Sequence, residues 1–185
     1  MPRAEELRAL IDAHKGSGYV LFDNVEKLLP SRHNGGSELE ETLLAIEAAG
    51  LDILDEPKTD FETVVAIDPD PRGDLENPIK IYLREIARFP PITRVREFEL
   101  TEIMRSGDAQ AAGGALEELV QSNILVVVAI AKRYGRGVKI LDLVVAGNNG
   151  LVEAMRNFDC HRGYRFSSYA IWWIRQSVIR ASRIH

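Results

Sequence analysis

One cysteine in 185 residues rules out an internal disulfide, and Cys160 reads as a bystander in a reducing compartment rather than as a nucleophile. Long hydrophobic runs are missing too. The longest, Ile124 to Ala131, falls far short of the ~20 apolar residues that span a bilayer, and the N-terminus, MPRAEELRALIDAHK, is charged throughout. His14, His33, His161 and His185 show no metal-ligand spacing such as H-E-x-x-H. No phosphate-binding glycine loop occurs, and no Ser or Cys sits in a nucleophile motif. These absences argue against an enzyme, a resident metal or another cofactor, and against a membrane partner. Strand-period alternation persists nowhere, and no repeat has a solenoid period, so the fold expected is mainly α.

What is present is 45% hydrophobic, enough for a packed core. Acids are scarce where bases are dense. From Met1 to Glu76 there are 18 acids against 7 bases; from Asn77 onward there are 10 acids against 16 bases. An acidic half is joined to a basic half, a distribution that suits nucleic acid despite a net charge of -5.

The periodicity divides the chain in three. Residues 1-54 form a small helical domain. Leu7, Leu10 and Ile11 mark its first helix, and Val20, Phe22, Val25, Leu28 and Leu29 form a second apolar set stopped by Pro30. Ser37 with Glu40 reads as a capping box for a third helix ending at Gly50, and Leu51 to Leu54 as a short extended segment. Residues 55-76 are an acidic linker with Pro57, Pro69, Pro71 and Gly73. Residues 77-185 form a helical bundle. Pro78 opens its first helix, Thr93 caps the next, and Asp108 starts another. Leu116 to Tyr134 reads as a long buried helix with Lys132, Arg133, Arg136 and Lys139 at its exit. Those bases either complement the helix dipole or track phosphates. Ile140 to Phe158 reads as two shorter helices about Gly147-Asn148-Asn149-Gly150.

The most informative stretch is FDCHRGYRFSSYAIWWIRQSVIR, from Phe158 to Arg180. Six aromatics, Phe158, Tyr164, Phe166, Tyr169, Trp172 and Trp173, are interleaved with Arg162, Arg165, Arg175 and Arg180, with Arg156 just before and no acid after Asp159. Ser167 or Ser168 can cap a helix whose Ile171, Ile174, Val178 and Ala181 face a core. Its other face offers aromatic surface beside cationic surface. Aromatics fill cores in most proteins, but interleaved with arginines these suit the other use, outward-facing rings that stack on unpaired bases while the arginines hold phosphates. Each base so stacked returns roughly 1 to 3 kcal/mol, so two or three platforms trap an opened A·T stretch without melting it alone.

The run GYRFSSYAIWWIRQSVIR, with NILVVVAIAKRYGRG, ILDLV and GNNGLVEAMRNFD before it, resembles region 2 of housekeeping-type (sigma-70 family) sigma factors of bacterial RNA polymerase. ENPIKIYLREIARFPPIT resembles their region 1.2, and the N-terminal residues are similar to region 1.1. The resemblance implies a transcription initiation factor, or the N-terminal part of one, that binds core polymerase and melts the promoter minus-ten element. Tyr164, Phe166, Tyr169, Trp172 and Trp173 coincide with melting aromatics, and Phe158 belongs with them. Gln176 falls where the element's upstream edge is read, and Arg165, Arg175 and Arg180 fall at backbone contacts. Asp142, Leu143, Val145, Ala146 and Asn148 fall on the helix that docks on the clamp helices of the largest polymerase subunit. Asn77 to Ile86 is expected near downstream discriminator DNA. The acidic domain is expected to compete with DNA. An anti-sigma protein is a further partner of this class, and the location is cytoplasmic, at the nucleoid.

The sequence departs from that pattern at Val145 and Ala146, where the family has a polar and acidic pair, at Leu125 for an arginine, and at Ile179 for a threonine. The resemblance reaches only to His185, inside region 2, so the chain reads as a fragment or a shortened product. The alternative is a truncated sigma-like regulator that sequesters polymerase or DNA without initiating.

Overall fold

The computed structural model describes residues 2-30, 36-55, 81, 85, 88-89, 92-134 and 138-184. Residues 56-76 of the linker expected at 55-76, the helix opening at Pro78, most of the Asn77 to Ile86 segment, and Arg136 lie outside these residues.

The N-terminal unit comprises α1 (Pro2–His14), β1 (Tyr19–Leu21), α2 (Phe22–Leu28), α3 (Ser37–Ala48) and β2 (Asp52–Leu54). The apolar set after Gly18 is therefore part strand, part helix. The two strands pair in parallel, with Val20 opposite Ile53. Both central residues point inward, since alternate side chains leave opposite faces of a strand. They join Phe22, Val25, Leu39, Leu43 and Ile46 in a closed core. Ser37 is the first helical residue rather than the cap, and Gly36 precedes it without a side-chain cap. The capping box does not form because Glu40 is turned toward Arg162, more than a hundred residues away.

The second unit comprises α4 (Arg94–Arg105), α5 (Ala109–Tyr134), α6 (Ile140–Asn157), a turn of 3-10 helix (Cys160–Arg162) and α7 (Phe166–Ile184). Two caps form as the sequence predicts. The Thr93 hydroxyl accepts from the Arg96 N–H at 3.2 Å, and the Asp108 carboxylate accepts from Gln110 and Ala111 at 3.0 and 3.1 Å. The helix after Asp108 runs unbroken through Gly113 and Gly114 into the predicted long helix. By length and composition α5 could cross a membrane, although no single run within it suggests so. Leu119, Val127, Val128, Ile130 and Ala131 instead pack in the core of the bundle.

The segment from Ile140 is one continuous helix, contrary to the expected break at Gly147 to Gly150. The glycines serve close packing. A Cβ on Gly147 would come within 2.6 Å of Val127 Cγ1, and one on Gly150 within 2.5 Å of the Trp173 carbonyl oxygen. Their bare backbone lets α6 lie against α5 and α7, which fixes the helix carrying the paired tryptophans.

Candidate nucleic-acid interface

The start of α7 is held by carboxylates from distant elements rather than by Ser167 or Ser168. Both serines lie within the first helical turn, because the helix begins at Phe166. The Ser167 N–H donates to Glu97 Oε1 at 2.6 Å, and the Arg165 N–H donates to both oxygens of Glu47, at 3.1 and 3.0 Å. Negative charge here also complements the helix dipole. Glu97 is buried, and its other oxygen accepts from the Arg165 guanidinium at 2.8 and 3.2 Å. Burial pushes the Glu47 carboxyl above its ordinary value, and hydrogen bonds from Ser168 and Arg165 with the charges of Arg94 and Arg165 oppose that rise.

The aromatics expected to face outward are mostly covered. Phe158, Tyr164, Phe166, Tyr169 and Trp172 are buried, and Trp173 is half-buried. Their ring neighbours are one another. Phe158 meets Phe166 edge-on at 5.3 Å and Tyr164 at 5.6 Å, and Trp172 stands perpendicular to Trp173 at 4.9 Å. The N-terminal unit packs against the loop that precedes α7. Leu44 of α3 approaches Gly163, Glu40 pairs with Arg162, and burial together with the Glu40 charge pushes the Tyr164 phenol above its ordinary value. Sequence reading supplied the outward orientation from α7 alone, and could not supply the domain that packs on it.

Arg175 is the anchor of that packing and is only 1% exposed. Its Nε donates to Asp55 Oδ1 at 2.6 Å, its Nη2 to Asp23 Oδ1 at 2.6 Å, and its Nη1 to Glu26 Oε2 at 3.1 Å. Its guanidinium also lies 5.1 Å from the Phe22 ring centre. Burial opposes its charge, but Asp55 and Asp23, with Tyr134, outweigh that and raise its pKa. Arg133, from the basic exit of α5, pairs with Asp23 and donates to the Asp55 carbonyl oxygen at 3.3 Å. Burial would raise the Asp23 pKa, but hydrogen bonds from Arg133 and Arg175 and their charges hold it below the ordinary value. Asp55, read as the first residue of a solvated linker, is thus a buried structural acid. Asp23, Glu26, Glu47, Glu97 and Asp55 were missed as interface residues. The only sequence signal for Asp23, Glu26, Glu47 and Asp55 was the charge excess of the N-terminal half.

The other candidates divide by exposure. Arg180 is exposed, while Gln176 and Arg165 are partly buried. On α6, Asp142, Val145 and Asn149 lie exposed along one face, and Ala146 beside them is half-buried. Leu143 is a fully buried core residue, so it is not available for a surface contact in this arrangement. Asn148 is helical rather than a turn residue, and its amide oxygen is buried without a hydrogen-bond partner.

One grouping was invisible to ligand spacing. The Cys160 thiol donates to Glu102 Oε1 at 2.9 Å, and His161 Nε2 lies 3.1 Å from the same oxygen.

Three family descriptions match consecutive parts of the chain: Sigma-70 factor, region 1.1 over residues 2–76, Sigma-70 factor, region 1.2 over 77–110, and Sigma-70 region 2 over 119–184. The chain belongs to the sigma-70 family. It is 34% identical over 183 residues to an RNA polymerase sigma factor SigA of Clostridium acetobutylicum, covering 95% of this chain and 46% of that protein. It is 32% identical over 187 residues to SigA of Listeria monocytogenes, covering 94% and 49%, and 35% identical over 158 residues to SigA of Lactococcus lactis, covering 77% and 43%. The chain thus spans about half the length of these relatives. In sigma-70 terms, the acidic N-terminal unit α1 to β2 falls in region 1.1, and the aromatic cluster falls in region 2.

Proposed function

We propose that this chain acts as a sigma-type initiation factor, or the part of one, whose aromatics on and before α7 capture bases of the promoter minus-ten strand. Its acidic N-terminal unit holds that surface closed until DNA or polymerase displaces it. The observation that carries the reading is Arg175 within hydrogen-bond reach of Asp23, Glu26 and Asp55. A guanidinium placed where promoter phosphate is expected already has carboxylates in the role of phosphate. The ring contacts within the cluster are worth about 0.5–1.5 kcal/mol each. Base stacking returns roughly 1 to 3 kcal/mol per base, so exchanging one for the other is near balance once the acidic unit has left.

Core RNA polymerase is the proposed second partner, through the outer face of α6 with Asp142, Val145 and Ala146. Residues of the chain do no covalent chemistry in this scheme. They bind, order and exclude water, while polymerase carries the reaction. Run-off transcription with core polymerase on a minus-ten promoter tests it. Transcripts that depend on the chain, and disappear when Tyr169 and Trp173 are replaced by leucine, support initiation.

A second reading is favoured by Val145, an apolar side chain 60% exposed on the expected docking face. In that reading the chain sequesters polymerase or DNA. It predicts polymerase binding without transcripts, and inhibition of a complete factor added to the same assay.

A further inference from the structure

The loop that delivers Tyr164 and Phe166 springs from the 3-10 turn Cys160–Arg162, and that turn abuts α4 at Glu102. The ligating atoms of Glu102, Cys160 and His161 lie within 4.8 Å of one another. A single carboxylate oxygen stands between sulfur and imidazole, at 2.9 and 3.1 Å. In a tetrahedral site with bonds of about 2.0–2.3 Å, donor atoms sit roughly 3.5 Å apart, so small side-chain shifts would centre an ion among these three.

The donor set is selective. Thiolate with imidazole favours zinc-class ions over magnesium and calcium, which prefer all-oxygen cages. The surroundings also fit a ligand site. The Phe98 ring lies edge-on to His161, with centres 6.1 Å apart, and limits how the imidazole turns. Cys160 is buried while Glu102 and His161 are partly open, which leaves a path for an ion to enter. We infer that Glu102, Cys160 and His161 form a binding site for a zinc-class divalent transition metal, with a fourth position open to water.

On binding, the sulfur–hydrogen bond is exchanged for a sulfur–metal bond and the thiol proton leaves to solvent. One thiolate and one carboxylate neutralise a dication. That balance suits a turn that contains Arg162 and lies beside Arg105, which already pairs with Asp159 at 3.2 Å. The ion would fasten α4 to the root of the aromatic loop and so restrict the movement that releases Tyr164 and Phe166.

The site is testable because Cys160 is the sole cysteine. Cobalt(II) chloride titrated into the full chain should give one equivalent of a sulfur-to-cobalt charge-transfer band, bleached by zinc chloride. C160S should abolish the band. H161A and E102Q should weaken cobalt binding by more than the roughly 10- to 100-fold typical of losing an outer-shell partner. His161 is 61% exposed, so H161A keeps the test meaningful if C160S fails to fold. Absence of the band, a band unchanged in H161A and E102Q, or cobalt affinity equal in wild type and C160S would overturn the proposal.

Discussion

Arg175 and Asp55, 120 positions apart in the chain, meet at 2.6 Å with their side chains 1% and 4% exposed. The pair joins the acidic half of the sequence to the helix bearing the tryptophans. Breaking a buried pair by removing one partner costs about 3–5 kcal/mol, because the other charge stays buried and uncompensated. D55A should therefore loosen the N-terminal unit and lower the urea midpoint. It should also make Trp172 and Trp173 more accessible to an aqueous quencher, and unchanged quenching would contradict the clamp.

Glu97 acts on α7 in two ways, accepting from the Ser167 N–H and pairing with Arg165. E97A should cost between the about 0.5–2 kcal/mol of a lost cap and the about 3–5 kcal/mol of a broken buried pair. S167A should cost far less, since its hydroxyl donates to Glu97 at 3.5 Å, beyond the usual length of such a bond. Equal losses in the two variants, measured by urea denaturation, would contradict this assignment.

At Gly150 the added methyl of G150A meets backbone, the Trp173 carbonyl oxygen at 2.5 Å, with Ser177 Oγ at 2.7 Å. Overpacking of this kind costs about 1–3 kcal/mol. A lowered Tm with a changed tryptophan emission is expected; a Tm equal to wild type would show that α6 and α7 can separate freely.

Two acids give stability opposite slopes with pH. Asp23 is held below its ordinary value of 3.8, so its stabilisation is full above that value and is lost as pH falls through its lowered pKa. Glu47 is raised above its ordinary 4.5, so stability rises as pH falls through its raised pKa and stops rising below 4.5. Their sum favours the closed form most between the two ordinary values. Urea midpoints followed across pH should rise on mild acidification and fall steeply below about 4; E47Q should remove the rise alone.

Local signals were legible where the chain itself supplies the partner. Thr93 and Asp108 cap the next turn of their own helices, and Ile171, Ile174 and Val178 reach the core by helical spacing. Signals failed where the partner lies far off in sequence. Glu40 forgoes its own helix cap for Arg162, and the first turn of α7 takes carboxylates from Glu97 and Glu47 instead of its serines. Gly147 and Gly150 look like a turn in one dimension and are a packing surface in three. The aromatics expected to face outward pack on one another instead, and Arg175 is taken up by Asp23, Glu26 and Asp55, whose acidity alone does not say what they touch.

Trp172 and Trp173 are the only tryptophans in the chain, so their fluorescence reports on the aromatic cluster directly. A single-stranded minus-ten oligonucleotide should be titrated, at low salt, into wild type and into the D23A/E26A/D55A variant. The account predicts weak quenching of the wild type and at least roughly tenfold tighter, saturable quenching of the variant, about 1.4 kcal/mol of released competition. Equal affinity in the two proteins would contradict the claim that the acidic unit closes a nucleotide-binding surface.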